Sequence, residues 1–470
     1  MCGIFGIVSD EDVIERVRIG LWAQQHRGQE STGAVVYQGE EKYAERRKMG
    51  MVDFVFYDAP VRMYGKSGIG HVRYSTTGSS TPDNIQPIRG LFRDLAFYLA
   101  HNGNLVGIES LRLGFKVWGY QFSTTTDTEI IAATIHFSSQ RTFEGALAEA
   151  LRQAHGTYAL VALYKDMVIG ARDRTGNRPL VIGKRGAATF FASESAVCDV
   201  LGGTFVREVM PGEMVILRAR EEIISRQIGS ESRDECAKFQ KPCLFEFVYF
   251  SRPDSILNGG RIQHVRELMG RNLWREGPVD ADIVVPVPDS GTDSAIGFSR
   301  ASGIPLEMAV FRYHYVGRTF IEKTDAQRDE AMNIKFNMIP EKVRNRRVIL
   351  VDDSIVRART AKKIIKKLRD AGAREVSMRI SSPPIGYPCW YGINTNEIPH
   401  ELAARRHGGD IERIREEIGA DSLAYLSLMG LKQAVLEGTQ GLGMNNFCDA
   451  CFSGNYHIGG TVIAELNERL

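Results

Sequence analysis

The chain lacks the long apolar run that a membrane span needs. Crossing a bilayer takes roughly 18 to 20 consecutive uncharged residues, and apolar stretches such as 158–164 are soon broken by charge. It also lacks a charge excess. Lys+Arg 59 against Asp+Glu 57 leaves +2, too little to hold a phosphate backbone by charge alone, so nucleic acid is not the expected partner and any phosphate is bound locally. No internal repeat or low-complexity segment occurs. The first eight residues are largely apolar, but no basic region precedes them and Asp10, Glu11 and Asp12 follow; this is the wrong order for a signal peptide. The protein is expected to be cytoplasmic, with no membrane partner. Cysteine is scarce: Cys2, Cys198, Cys236, Cys243, Cys389, Cys448 and Cys451 are the seven in 470 residues. In so long an intracellular chain they argue for thiol chemistry or metal binding rather than a disulfide framework.

What is present is the composition of an ordinary globular protein, 43% hydrophobic and 25% charged, with mean hydropathy −0.20. Hydrophobic cores stop growing at about 250 to 300 residues, so two domains are expected. As far as residue 228 short β-type runs alternate with Gly-rich turns and two helical stretches, 12–25 and 128–136, an α+β pattern. Segment 229–241 is polar, charged and aperiodic, the mark of a linker. Beyond it strands at 282–287, 347–351 and 375–380 alternate with loops and helices, including 360–371, which predicts an α/β domain with a parallel sheet. The last stretch, from about 441, is rich in Gly and Asn. The division read from the sequence is 2–230, a linker at 231–241, a second domain at 242–440 and a tail at 441–470.

Cys2 follows the initiator Met, and so small a side chain usually permits removal of Met1. Thiol and α-amine then share one residue. An α-amine with a reference pKa of about 7.7 to 8.0 can accept the thiol proton, whereas a lysine near 10.4 would stay protonated. Three further segments supply the rest of an acyl-transfer site. His26-Arg27-Gly28 brings a cation, and His101-Asn102-Gly103-Asn104 brings an amide and an unhindered N–H for a developing oxyanion. Arg73, in His71-Val72-Arg73-Tyr74, suits an amino-acid carboxylate, and Asp127 suits its ammonium group.

These segments in order, Cys-Gly-Ile-Phe-Gly-Ile, QHRGQES, HVRYSTTG, HNGNL and TDTE, resemble the glutaminase domain of amino-terminal-nucleophile glutamine amidotransferases. The resemblance implies a four-layer αββα fold and Cys2 as nucleophile on the glutamine amide. It further implies an oxyanion hole at Asn102 and Gly103, Arg73 and Asp127 on the glutamine α-groups, and Arg27 in support of the nucleophile.

In the second half a buried strand ends in Asp352 and Asp353, followed by Ser354, Ile355, Val356, Arg357, Ala358, Arg359 and Thr360 at a helix start. A loop leading into a helix offers unpaired N–H groups to a phosphate, and the paired carboxylates suit sugar hydroxyls and a hard cation such as Mg²⁺. This segment, with FSRPDS at 250–255, VPDSG at 287–291, YVGRTFI at 315–321 and SSPPI at 381–385, resembles the amidophosphoribosyltransferase family over nearly the whole chain. By that resemblance the second domain is a phosphoribosyltransferase domain for phosphoribosyl pyrophosphate. Asp352 and Asp353 bind ribose and Mg²⁺, Ser290 and Gly291 lie in the pyrophosphate loop with Ser290 also touching Mg²⁺, and residues 354–360 cradle the 5-phosphate. Residues 315–335 form a loop closing over the substrate. One departure stands out: the family usually has Gly-Thr-Thr where this chain has Ala358-Arg359-Thr360. Ala358 adopts a positive φ only with strain; Arg359 can pair with the phosphate if the loop stays right-handed there.

Cys448 and Cys451, with two residues between them in the tail, make four thiols with Cys243 and Cys389, the number required by an iron–sulfur cluster or a structural zinc. The resemblance points to a [4Fe–4S] cluster. None of the four adjoins the glutaminase or phosphate motifs in sequence, which suggests a purely structural role, while Cys198 and Cys236 have no evident partner. The family further implies feedback inhibition by purine nucleotides and a homotetramer. Competing readings are a divergent paralogue with glutaminase activity only or another acceptor, and a cluster-bearing nucleotide or redox sensor without the chemistry.

Overall fold

The computed structural model describes residues 1–57, 63–74, 80–313, 335–460, 462–463 and 466. The loop expected at 315–335 therefore lies outside the described residues except for Lys335, as do Ser75 and Thr76 of the HVRYSTTG segment. Among the described residues no helix is long and apolar enough to cross a membrane.

The N-terminal half is two antiparallel sheets laid face to face. One has seven strands with Gly3–Val8 near its middle, between Ser67–Arg73 and Ala188–Ala192; the other has six, with Leu95–Leu105 paired to Gly156–Tyr164. Alternation along Gly3–Val8 explains the layering. Ile4 and Val8 point between the sheets, where they join Val35, Ile69, Tyr98 and Val161, while Phe5 and Ile7 point outward to the layer that holds Val17 and Leu21 of the helix Ile14–Trp22. The outer face of the second sheet is covered by Ile108–Val117, Thr128–His136 and Phe143–Gln153. The last of these starts at Thr142, whose hydroxyl accepts the Gly145 N–H. The result is the expected αββα sandwich.

In the second half Ile283–Pro286, Arg347–Asp352, Glu375–Ile380 and Ser422–Tyr425 form a parallel sheet in that order. Successive residues feed opposite cores: Val284, Ile349 and Val351 pack with Phe245, Leu268 and Phe298, whereas Val285, Val348 and Leu350 pack with Ile364, Ile365, Leu368 and Ile414. Burial on both faces is why these strands read as continuous apolar runs. Segment 229–241, read as a linker, contains the helix Arg233–Lys238. Its start is fixed by Ser232 and Glu235, each of whose side chains satisfies the other's backbone N–H.

Candidate active site

Cys2 immediately precedes the central strand, Gly3–Val8, of the seven-stranded sheet and is 6% exposed. Its backbone nitrogen donates to Asn102 Oδ1 at 3.1 Å, and its sulfur lies 3.5 Å from the Tyr74 carbonyl oxygen. Asn102 sits in the facing sheet, on Leu95–Leu105, so the thiol and the amide meet across the sandwich. With Oδ1 engaged, Asn102 Nδ2 is buried and has no partner among the described residues. A buried amide donor without a partner costs free energy unless a ligand supplies the acceptor. Gly103 follows at φ +154, and a methyl there would lie 2.0 Å from the Thr157 carbonyl oxygen, so no side chain fits. Met1 is itself buried, in the apolar cluster of the second domain.

Arg73 and Asp127 are both buried. Asp127 Oδ2 accepts the Leu105 N–H at 2.8 Å, and Oδ1 lies 3.8 Å from His101 Nδ1. Burial alone would raise its pKa, but His101 and the N–H groups of Leu105 and Thr128 outweigh that and hold the carboxyl below its ordinary value. Arg27 is wholly buried and donates from Nε to the Cys2 carbonyl at 3.0 Å. Its two carboxylate partners, Glu194 and Glu246, carry no signal in the sequence, whereas His26, from the same motif as Arg27, places Nε2 2.7 Å from Glu194 Oε1. Burial would lower the Arg27 pKa, yet Glu246 and then Glu194 hold the guanidinium charged and above its usual value.

The segments 287–291, 352–360 and 381–385 meet at one edge of the parallel sheet, because parallel strands end together. Asp352 and Asp353 are 6% and 5% exposed at the end of Arg347–Asp352. Burial, and then the Asp353 charge, raises Asp352 well above the carboxylate range. Gly291 lies against that strand end, where a methyl would stand 2.4 Å from the Val351 carbonyl oxygen; Ser290 precedes it. The helix Arg359–Asp370 begins after Ala358, whose φ of +64 is the left-handed, strained alternative. Ile355 and Ala358 turn their side chains into the core, so in this loop they offer only backbone N–H groups. Arg359 is 56% exposed in its side chain and lies 3.7 Å from Glu401, which Arg357 approaches at 3.2 Å. A carboxylate thus competes with any phosphate for both arginines.

All seven cysteines are free thiols, and Cys198 and Cys236 are buried. Cys243 and Cys448 face each other across a parallel backbone bridge. Burial raises the thiols of Cys448 and Cys451, and Cys243 and Cys389 push both up further, so the four lie within electrostatic range of one another. Among the described residues no three His, Cys, Asp or Glu side chains are gathered closely enough to hold a single metal ion. The separation of these cysteines from the glutaminase motifs, expected from sequence distance, does not hold in space. Two residues beyond Cys389, the Tyr391 carbonyl accepts from Thr157 Oγ1 at 3.0 Å and from Arg178 Nε at 2.9 Å. Asn104 Nδ2 donates to the Trp390 carbonyl, and Gly392 packs so tightly on Gly103 that a methyl would meet its carbonyl at 3.1 Å.

Residues 71–199 match the glutamine amidotransferase domain family. With the αββα sandwich and the parallel-sheet domain, this defines the class: a glutamine amidotransferase joined to a phosphoribosyltransferase domain. The chain is 41% identical over 463 residues to the amidophosphoribosyltransferase of Rhizobium etli, covering 97% of this chain and 91% of that protein. It superposes with a TM-score of 0.89 and 39% identity on the Bacillus subtilis glutamine phosphoribosylpyrophosphate amidotransferase solved with ADP and GMP, over 98% of each chain. A second solved structure, of the allosteric regulatory enzyme of purine biosynthesis, gives a TM-score of 0.89 at 39% identity over 97% of this chain and 96% of that one. The chain belongs to the amidophosphoribosyltransferase family.

Proposed function

We propose that the two sites carry out two half-reactions joined by ammonia. The protein is an enzyme with its family's overall reaction: glutamine, water and phosphoribosyl pyrophosphate give glutamate, 5-phosphoribosylamine and pyrophosphate, the first committed step of de novo purine biosynthesis. The relationship over 97% of the chain favours this over a glutaminase-only paralogue or a sensor.

Once Met1 is removed, the nitrogen beside Asn102 is the α-amine, which takes the thiol proton. The thiolate attacks the glutamine side-chain carbonyl, the oxyanion meets Asn102 Nδ2 and the Gly103 N–H, and collapse expels ammonia with the proton returned from the amine. Water then breaks the thioester to glutamate. Arg73 and Asp127 hold the glutamine α-carboxylate and α-ammonium groups. The observation that carries this half is Asn102, whose carbonyl oxygen holds the nucleophile's nitrogen while its buried N–H₂ has no partner among the described residues.

At the other site, Asp352 and Asp353 take the ribose hydroxyls, the N–H groups of residues 354–360 with the Thr360 hydroxyl take the 5-phosphate, and Ser290 with Gly291 takes the pyrophosphate. Ammonia displaces pyrophosphate at carbon 1. The oxygen-only donor set of Ser290, Asp352 and Asp353 fits Mg²⁺, and the raised Asp352 carboxyl beside Asp353 is in keeping with a site that takes positive charge. Held by these three residues, Mg²⁺ would supply positive charge against the leaving pyrophosphate.

Cys243, Cys389, Cys448 and Cys451 hold a [4Fe–4S] cluster in this reading. Its support is four thiols, three of them buried, that lie within electrostatic range of one another and make the four-thiolate ligand set that such a cluster takes. The same reading includes the division at 2–230, 231–241, 242–440 and 441–470, a cytoplasmic homotetramer and feedback by purine nucleotides. Purified protein should release glutamate and pyrophosphate together only when both substrates are present. Glutamate release with no pyrophosphate under any condition overturns the second half-reaction.

A further inference from the structure

Buried arginines run from the nucleophile into the second domain. Arg27 divides its guanidinium three ways: Nε to the Cys2 carbonyl, Nη1 to Glu194 at 2.6 Å and Nη2 to Glu246 at 2.7 Å. Glu194 belongs to the N-terminal half, but Glu246 opens the helical turn Glu246–Phe250 of the second. Glu246 is wholly buried; its Oε2 accepts Arg27 Nη1 at 3.1 Å and the Ser251 hydroxyl at 2.9 Å, and its Oε1 lies 3.7 Å from Arg178. The turn is pinned in its own domain by Arg266, which donates to the carbonyls of Phe247 at 2.8 Å and Ser251 at 2.7 Å. Arg266 also lies 4.0 Å from Asp293, in the first turn of the helix that follows Gly291.

Burying a guanidinium with two carboxylates gains little stability over an apolar filling of the same volume. What the arrangement supplies is direction: a planar fork held on two fixed carboxylates leaves its Nε one line of approach to the Cys2 carbonyl. We propose that Glu246 is a positioning residue for the nucleophile, clamping Arg27 from the second domain so that this domain sets the aim of the Cys2 thiol. Arg266 holds the clamp in register with the phosphoribosyl site. The proposal rests on Cys2 being the nucleophile, as above. Its consequence is that the glutamine half-reaction depends on a carboxylate that never touches glutamine.

The test is Glu246→Gln, of nearly the same shape but without the charge. Because a misplacement of about 1 Å costs on the order of 10²-fold, glutamine-dependent kcat should fall between about 10-fold and 100-fold while KM for glutamine moves by less than about threefold. Alkylation of Cys2 by iodoacetamide should slow in parallel. In the double variant with Arg27→Lys, the loss should be no larger than that of Arg27→Lys alone, since both act through one contact. Ser251→Ala, which removes a single hydrogen bond from Glu246, should give a smaller loss in the same two readouts, restored by Ser251→Thr; it carries the test if Glu246→Gln does not fold. Glutamine turnover and alkylation both within about twofold of the parent, in folded Glu246→Gln or failing that in Ser251→Ala, overturn the proposal, as do losses that multiply in the double variant. Cys2→Ser separates the two levels. If it keeps glutamine turnover the nucleophile assignment fails, whereas an inactive Cys2→Ser beside a fully active Glu246→Gln refutes the positioning alone.

Discussion

Asn102→Asp isolates the oxyanion donor. The substitution keeps an oxygen within reach of the Cys2 nitrogen, where Oδ1 now accepts at 3.1 Å, and replaces the partnerless buried Nδ2 with a second oxygen. An oxyanion-hole donor is worth on the order of 10² to 10³ in kcat, about 2.7 to 4 kcal/mol. The new carboxylate also repels the developing charge, so the glutamine-dependent rate should fall by at least about 10² with little change in KM. Alkylation by iodoacetamide develops no oxyanion, so Cys2 should still be alkylated. The added negative charge favours a protonated α-amine, and the acid limb of the alkylation profile should move to higher pH. The assays are glutamate release and the rate of iodoacetamide incorporation against pH, on the same preparation. A glutamine-dependent rate within about threefold of the parent refutes the donor role of Nδ2.

Ala358→Gly relieves a left-handed backbone, worth about 1 kcal/mol, but gives up a buried methyl worth about 0.8 kcal/mol; urea unfolding should change little, while phosphoribosyl pyrophosphate binding holds or improves. Arg359→Thr should weaken that binding about tenfold or more if the guanidinium leaves Glu401 for the phosphate, and an unchanged dissociation constant assigns it to Glu401 alone. Anaerobically purified protein should be brown with about four iron and four sulfide per chain, and Cys448→Ser colourless and unstable; stoichiometric zinc without sulfide contradicts the cluster. Burial, then the nearby Arg73 charge, lowers His71 to about 3. A histidine neutral when folded and protonated when unfolded loses stability as pH falls from about 6.5 towards 3, at up to about 1.4 kcal/mol per pH unit. His71→Gln, which keeps a donor for the His101 carbonyl, should flatten that slope in urea melts between pH 7 and 5.

Two elements have in the structure the limits read from the sequence, the helix Thr128–His136 and the strand Glu375–Ile380, both buried along nearly their whole length. Cys2, Asn102, Asp352 and Asp353 could be singled out as candidates because each lies in a short segment whose chemistry is local. The helix Arg233–Lys238 was also present in the sequence, in Ser232 and Glu235 three residues apart, but the absence of an apolar stripe hid it. Glu194 and Glu246 carry no such signal. They act only because the two halves dock, and nothing near either residue announces an arginine from elsewhere in the chain. The same holds for residues 389–392, where the Asn104 to Trp390 hydrogen bond spans 286 positions. Ala358 is a different failure. Its side chain argues against a positive φ, and only the strand and helix it connects impose one.

The account stands or falls on Cys2 acting as an amino-terminal nucleophile whose ammonia serves a second site. The direct test joins intact-mass measurement of the purified protein with glutamine-dependent and ammonia-dependent synthesis of phosphoribosylamine by Cys2→Ser. The account predicts a chain that begins at Cys2, a variant with no measurable use of glutamine, and ammonia-dependent synthesis that persists. Retained Met1 in fully active protein, or a folded Cys2→Ser that loses both activities equally, would contradict it.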